Sequence, residues 1–187
     1  MSLGIFVEDQ DDRESLKIIL NKLGQSLVHR VWVRQGDMLK VGEVSRHIKT
    51  LKGLHPEVKS VLIFLDSEGA DPAATKRGTE PSEKALNKAF PRIKINYIVV
   101  DHSLEGWLCS DADALRKVLG LQSKIKFKGN PENHLHPADL LKDIFKTNNK
   151  SFIKGRDNPK IAEAMKDARI IAQKSPTFKY LLKTLGI

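Results

Sequence analysis

Two stretches of this chain place acids where chemistry can be done. Val61-Leu62-Ile63-Phe64-Leu65 runs directly into Asp66-Ser67-Glu68-Gly69, and Ile5-Phe6-Val7 runs into Glu8-Asp9. An unbroken apolar run rich in β-branched and aromatic residues reads as a parallel strand buried on both faces, because a strand with one wet face would alternate. The acids then fall at the carboxyl ends of strands, where open α/β sheets hold their ligands. Oxygen donors of this kind suit a hard divalent cation, Mg2+ or Mn2+, which keeps several waters and needs only two or three carboxylates. Crowded carboxylates without a cation raise one another's pKa, and a bound metal removes that penalty. Two such metals can activate a water and stabilise the leaving oxygen of a phosphodiester. Glu8, Asp66 and Glu68 are the candidate ligands, with Asp9 and Glu105 as additions, and Lys76, Lys154 or Arg156 could neutralise a scissile phosphate. The plainer alternatives are an Asp that only caps the turn after its strand, and basic side chains that only meet solvent.

Regular elements must position these groups. Asp11-x-x-Glu14 reads as a capping box ahead of Leu16, Ile19, Leu20 and Leu23 at helical spacing, with a stop at Gly24. Val28 to Val33 reads as a second strand in which Trp32 packs, and Val41, Val44, Ile48 and Leu51 line a second helix ended by Gly53. His29, His47 and His55 share no metal-ligand spacing. Glu68 to Ser82, rich in Gly, Pro, Ala and Thr and carrying Lys76-Arg77-Gly78, reads as a long connection, either a phosphate-contacting flap or a disordered loop. A short helix from Ser82 to Phe90 and a fourth strand from Ile95 to Val100, ending in Asp101, follow. Strand alternating with helix predicts an α/β fold: a four-stranded parallel sheet with right-handed crossovers and helices on both faces. If the first and third strands are neighbours, Glu8, Asp66 and Glu68 converge.

Beyond Asp101, Trp107 is expected to anchor the helix carrying Glu105 against the sheet, and a helix from Asp111 turns Leu115, Val118 and Leu119 inward. His134-x-His136 lies on a polar stretch from Gly120 to Pro137, weak evidence for a metal. Three helical patterns close the chain: Leu140 to Phe145; Ile161, Met165 and Ala168 behind an Asn158 cap with Pro159 at the first position; and Phe178 to Leu185 after Ser175-Pro176.

The 187 residues suit one domain, or one with an appendage. No apolar run approaches the roughly 20 residues of a membrane span, and the start shows no secretory pattern. The single cysteine, Cys109, excludes an internal disulfide and a multi-cysteine zinc site, fits a reducing cytoplasm, and reads as a small buried hydrophobe. The net charge of +9 is uneven: residues 1–115 hold 16 Lys+Arg against 17 Asp+Glu, and residues 116–187 hold 16 against 6. That asymmetry points to a polyanion, nucleic acid, as partner, unless the lysines only solvate helix faces.

The same acids also describe a phospho-acceptor receiver domain, with Asp66 phosphorylated and Mg2+ held by Glu8 and Asp9. The segment after the fourth strand departs from that pattern. Taken together, the motifs resemble the Toprim (topoisomerase-primase) fold, in which a Glu follows the first strand and Asp-x-Asp the third. Ile5-Phe6-Val7-Glu8 matches the first motif, and Phe64-Leu65-Asp66-Ser67-Glu68 matches the second with Glu68 in place of Asp. Glu105-Gly106-Trp107-Leu108, Asn130-Pro131-Glu132, Lys154-Gly155-Arg156-Asp157 and Ser175-Pro176-Thr177-Phe178 resemble an uncharacterised Toprim-like family with a Glu-Ala-Trp-Leu motif, related to nucleases of the overcoming-lysogenization-defect type. The resemblance implies a Toprim-like core over residues 1–110, a basic helical extension packed on it over residues 111–187, and a Mg2+- or Mn2+-dependent nuclease. Glu8, Asp66 and Glu68 would bind metal, Glu105 would support them, and Lys76, Arg77, Lys154 and Arg156 would contact nucleic acid. Related nucleases work with an ATPase partner in defence against phage. A non-catalytic nucleic-acid-binding or adaptor module is the competing reading.

Overall fold

The computed structural model of the chain describes residues 3–24, 31–33, 38–123, 125–127, 129–131 and 134–187, with backbone alone for 31–33. The uninterrupted apolar runs become strands because both faces of each find cover. Leu3–Val7 (β1), Ser60–Asp66 (β3) and Lys94–Val100 (β4) pair in parallel, with Phe6 opposite Ile63 and Asp66 opposite Val100. A three-residue segment, Val31–Val33 (β2), pairs with β1 on its other side, so the order across the parallel sheet is β2-β1-β3-β4. The beginning of the expected second strand, with His29, lies outside the described residues, as do the side chains of Trp32 and Glu132.

Eight α-helices are described: Gln10–Lys22 (α1), Val41–Leu54 (α2), Pro72–Ala89 (α3), Leu104–Leu108 (α4), Ala112–Leu119 (α5), Pro137–Thr147 (α6), Lys154–Ala164 (α7) and Pro176–Leu185 (α8). Alternation along the strands divides them into two layers. Leu3, Ile5, Val7, Leu62, Phe64, Ile98 and Val100 face α1 and the helices that follow β4, where they share one apolar cluster with Leu16, Trp107, Leu115, Phe145, Ile161 and Phe178. Phe6, Val61, Ile63, Leu65, Ile95 and Tyr97 face the other way, onto Val44, Ile48 and Leu51 of α2 and Leu86 of α3. Gly4 lets α2 lie close on β1, since a Cβ there would collide with the Leu51 side chain. The helices after β4 therefore complete the core of the sheet.

Strand order decides where a ligand can enter. From β1 the chain passes to β2 in one direction and then returns across β1 to β3, so the connections leave β1 and β3 on opposite sides. The crevice beyond their carboxyl ends is the topological switch point. Glu8 follows β1 there, and Asp66 is the last residue of β3.

Four local expectations change. The segment Glu68 to Ser82 is not a long loop: from Pro72 it is helix, capped by Asp71, and it continues through Gly78 and Pro81 to Ala89. Tertiary contacts outweigh the local helix breakers, since Thr79 is buried and Ser82 Oγ donates to the Leu39 carbonyl at 2.8 Å. Along α3, Asn87 bonds both the N–H and the carbonyl of Ile95, while Glu83 accepts the N–H of Tyr97 and Lys76 donates to its carbonyl. Secondly, α7 begins at Lys154 rather than at Pro159, which sits inside the helix, and Asn158 is buried instead of capping it. Asp157 turns back to accept the N–H of Ile153 at 2.8 Å and so closes the first turn. Thirdly, Gly53 lies within α2 instead of ending it. Fourthly, Asp11-x-x-Glu14 is not a capping box, because α1 already begins at Gln10 with Asp9 as its N-cap and Asp11 in its first turn.

Candidate functional site

The acidic cleft is assembled from the loop after β1 and from α1, β3, α4 and α7. Asp9 is the N-cap of α1, its Oδ1 accepting the N–H of Asp11 at 2.9 Å, which leaves Oδ2 free to turn toward α7. Asp12, in the first turn of α1, is buried. Glu105 stands on α4, its side chain only 1% exposed, and Oε1 accepts from the buried Asn158 Nδ2 at 2.9 Å. Trp107 holds α4 down: the indole is fully buried, meets the rings of Phe64 and Phe178 edge-on, and donates to Thr177 Oγ1 at 3.3 Å.

At the centre is Lys154, the first residue of α7. Its Nζ lies 2.8 Å from Asp9 Oδ2, 3.2 Å from Asp12 Oδ2 and 3.6 Å from Glu105 Oε1. Glu8, Asp9, Asp12 and Asp66 line the cleft with Val7, Leu16, Phe64, Val100 and Leu104. Its enclosed free space is about 20 Å3, on the order of one water molecule. Buried oxygens remain without a hydrogen-bond partner: Asp12 Oδ1, Glu105 Oε2 and Asn158 Oδ1.

Burial governs the electrostatics. It pushes the Asp66 carboxyl well above the usual carboxylate range; Asp12, Glu105 and Glu8 add to the rise and Lys154 opposes it. Burial lifts Asp12 to about 7 against the attraction of Lys154, with Glu105 and Asp9 contributing. The carboxylates in turn raise Lys154 above its ordinary value despite its desolvation. Asp9, nearer solvent, is lowered overall, because the bonds from Lys154 and from Asp11 N–H outweigh desolvation.

The predicted residues are only partly brought together. Glu8 and Asp66 line the cleft and Glu105 joins them through Lys154, but Glu68 does not line it. Glu68 is exposed, in the left-handed region at φ 48°, with its N–H on the His102 carbonyl. His102, after β4, is also left-handed at φ 53°. Lys76 lies elsewhere, on Glu83 at 2.7 Å, and Arg77 is exposed, 3.9 Å from Asp71. Arg156 is paired with Asp157 at 2.7 Å and donates to the Ser151 carbonyl. His134 and His136 are exposed, and Cys109 is buried with its thiol pushed up. Asp12 is the residue that sequence reasoning missed. Its only signal was its place in the first turn of a helix that starts beside Glu8, a position where acids usually serve the helix dipole.

A family model, described as Domain of unknown function (DUF4276), matches residues 7–186. The chain belongs to the DUF4276 family. The match spans nearly all of the sequence, so the helices after β4 are as much part of the DUF4276 unit as the sheet. No curated protein and no solved structure matches the chain.

Oxygen-only donors fit a hard divalent cation such as Mg2+ or Mn2+ better than a thiophilic metal. Among the described residues, no three His, Cys, Asp or Glu side chains are disposed to hold a metal ion as the chain stands. The ammonium of Lys154 occupies the middle of the acids that would have to converge. Part of the C-terminal basic excess is also engaged internally: Lys117, Lys150 and Lys174 donate to the carbonyls of Ala164, Leu119 and Ser110. Such contacts favour cations at helix ends. Lys142, Lys146, Lys160, Lys166, Lys179 and Lys183 are exposed. Among the described residues no helix is long and apolar enough to cross a membrane.

Proposed function

We propose that the chain is a divalent-metal-dependent phosphodiester hydrolase acting on nucleic acid, the activity that its resemblance to Toprim nucleases implies. The observation that carries this reading is the gathering of Glu8, Asp12, Asp66 and Glu105 at the switch point of a parallel sheet, with buried oxygens still lacking partners. Those oxygens fit Mg2+ or Mn2+, and the ligand set is Glu8, Asp12, Asp66 and Glu105 in place of the Glu8, Asp66, Glu68 set. When bound, the metal supplies a Lewis acid and lowers the pKa of its water. Asp66 and Asp12 are the groups whose charge it would stabilise, because both are costly to ionise without a cation. Asn158 fixes the rotamer of Glu105 through the 2.9 Å bond, and Trp107 fixes the helix beneath it. The exposed lysines of α6, α7 and α8 supply a cationic surface for the polyanion backbone.

Purified protein, alone and with any ATPase encoded beside it, should cleave DNA or RNA in Mn2+ and not in EDTA. Asp66→Asn should abolish cleavage and retain salt-sensitive binding. No cleavage of any substrate under either condition would sink the proposal. A second reading, a non-catalytic nucleic-acid-binding or adaptor module, is favoured by Lys154, which neutralises part of the cluster without metal. It expects binding indifferent both to Mn2+ and to Asp66→Asn.

A further inference from the structure

We propose that Lys154 is a displaceable internal counter-ion: it holds the acidic cleft together without metal, and a divalent cation binds there by taking Asp12 and Glu105 away from it. The inference rests on the metal-dependent reading above and concerns how that site is filled.

Donors and acceptors in the cleft do not balance. An ammonium has three N–H groups and no more. Around it stand Asp9 Oδ2, Asp12 Oδ2 and Glu105 Oε1, while the second oxygens of Asp12 and Glu105 are buried without any partner. The Glu105 side chain is 1% exposed, so bulk solvent does not reach it. Asp66 and Glu8 line the same cleft and add acceptors to a space enclosing about 20 Å3, on the order of one water molecule. A metal ion needs its ligand oxygens at roughly 2.0–2.6 Å. A dication at that range of Asp12 Oδ2 and Glu105 Oε1, which lie 3.2 Å and 3.6 Å from Nζ, would stand against a like charge, so these two oxygens serve one cation or the other.

The lysine has somewhere to go. Lys154 sits at the first position of α7 with its side chain 28% exposed, and its shortest contact is to Asp9, whose side chain is 45% exposed at the rim. Rotation of the four-carbon stem outward keeps the Asp9 pair and releases Asp12 and Glu105. Gly155 lets this turn lie against α1, where a Cβ would press on the Asp11 carboxylate. Metal and lysine are thus alternative occupants of the same oxygens.

Calorimetric titration of the full chain with Mn2+ alone tests this. Lys154→Met should bind Mn2+ at least tenfold more tightly than wild type. Lys154→Arg, which keeps the charge and grips carboxylates in a wider fork, should bind at least tenfold more weakly. Lys117→Met, which removes a charge held on the Ala164 carbonyl at the far end of α7, should change the affinity less than twofold and so measures the general field. Where Lys154→Met does not fold in EDTA, the arginine variant carries the test, and recovery of the methionine variant on refolding in Mn2+ supports the proposal. Mn2+ binding of equal strength in wild type and both Lys154 variants overturns the exchange while leaving a metal site intact. Weaker binding by Lys154→Met overturns it too, since the lysine would then be assisting the metal. No binding by any form, wild type included, overturns the metal reading itself and the exchange with it.

Discussion

Lys76 and Lys154 each carry a partly buried ammonium from a helix to the sheet region, and their surroundings differ in kind. Around Lys76 the bonds close: Glu83 Oε2 accepts from its Nζ at 2.7 Å and from the Tyr97 N–H at 2.9 Å, and Nζ also reaches the Tyr97 carbonyl at 3.0 Å. Around Lys154 the acceptors outnumber the donors, and Asp12 and Glu105 each keep a buried oxygen with nothing bonded to it. A buried polar group left unpaired costs about 1–3 kcal/mol. The first lysine is a fastening between α3 and β4. The second sits in a cluster short of donors and rich in negative charge, which is why it is the candidate site.

The largest effect is expected beneath the second cluster, where Trp107→Ala should cost about 3–5 kcal/mol, the range for truncating a large buried aromatic. Urea unfolding checks this. A loss under 1 kcal/mol would mean that α4, and with it Glu105, is held by something else. Next, Lys154→Met should lower metal-free stability by about 3 kcal/mol, near the low end for breaking a buried ion pair because the side chain is part-exposed. Lys76→Met should cost about 1–2 kcal/mol, because Glu83 keeps the Tyr97 N–H but loses its ammonium. Mn2+ should restore the first loss and leave the second untouched. Equal rescue of both, or of neither, would erase the distinction between the two lysines.

A pH series sharpens the contrast. Folded Asp12 holds its proton up to about 7, whereas the unfolded chain gives it up near pH 4. The contribution of Asp12 to metal-free stability is therefore complete below the unfolded value and lost as pH rises through the folded one. Asp66 shifts in the same direction. The stability difference between wild type and Asp12→Asn, measured in EDTA, should fall between pH 4 and 8, and Mn2+ should reverse that fall at the upper end. A difference that rises over this window contradicts the burial assigned to Asp12. The smallest effect belongs to Glu68→Gln, within about 0.5 kcal/mol as for an exposed surface change. It should leave Mn2+ affinity within twofold; a large loss would extend the site to the turn after β3.

Much of this architecture could be read from residue order. Apolar runs such as Val61 to Leu65 announce strands covered on both faces, and acids at their ends announce the crevice; Glu8 and Asp66 meet there. Trp107 was legible because an indole among apolar residues has few places to go but the core. What escaped was set by partners far away in sequence. Asp12 is buried because α7 lies across α1, 142 residues on. Lys154 was read as a phosphate contact because local sequence shows its charge and hides the three acids around it. Glu68 and Asp66 are two residues apart, yet the left-handed turn at Glu68 separates their surroundings. Pro159, read as the start of a helix, and Pro81, within the segment read as a connection, both lie inside helices.

The Asn87, Glu83 and Lys76 side chains do for the outer border of β4 what a fifth strand would do: they occupy the N–H and carbonyl groups of Ile95 and Tyr97. A sheet border whose hydrogen bonds are already taken cannot template a foreign strand, so this border resists the edge-to-edge stacking that leads to aggregates. Asn87→Leu would reopen one rung of that ladder, and its first consequence would be seen in the solubility of the protein before any change in its chemistry.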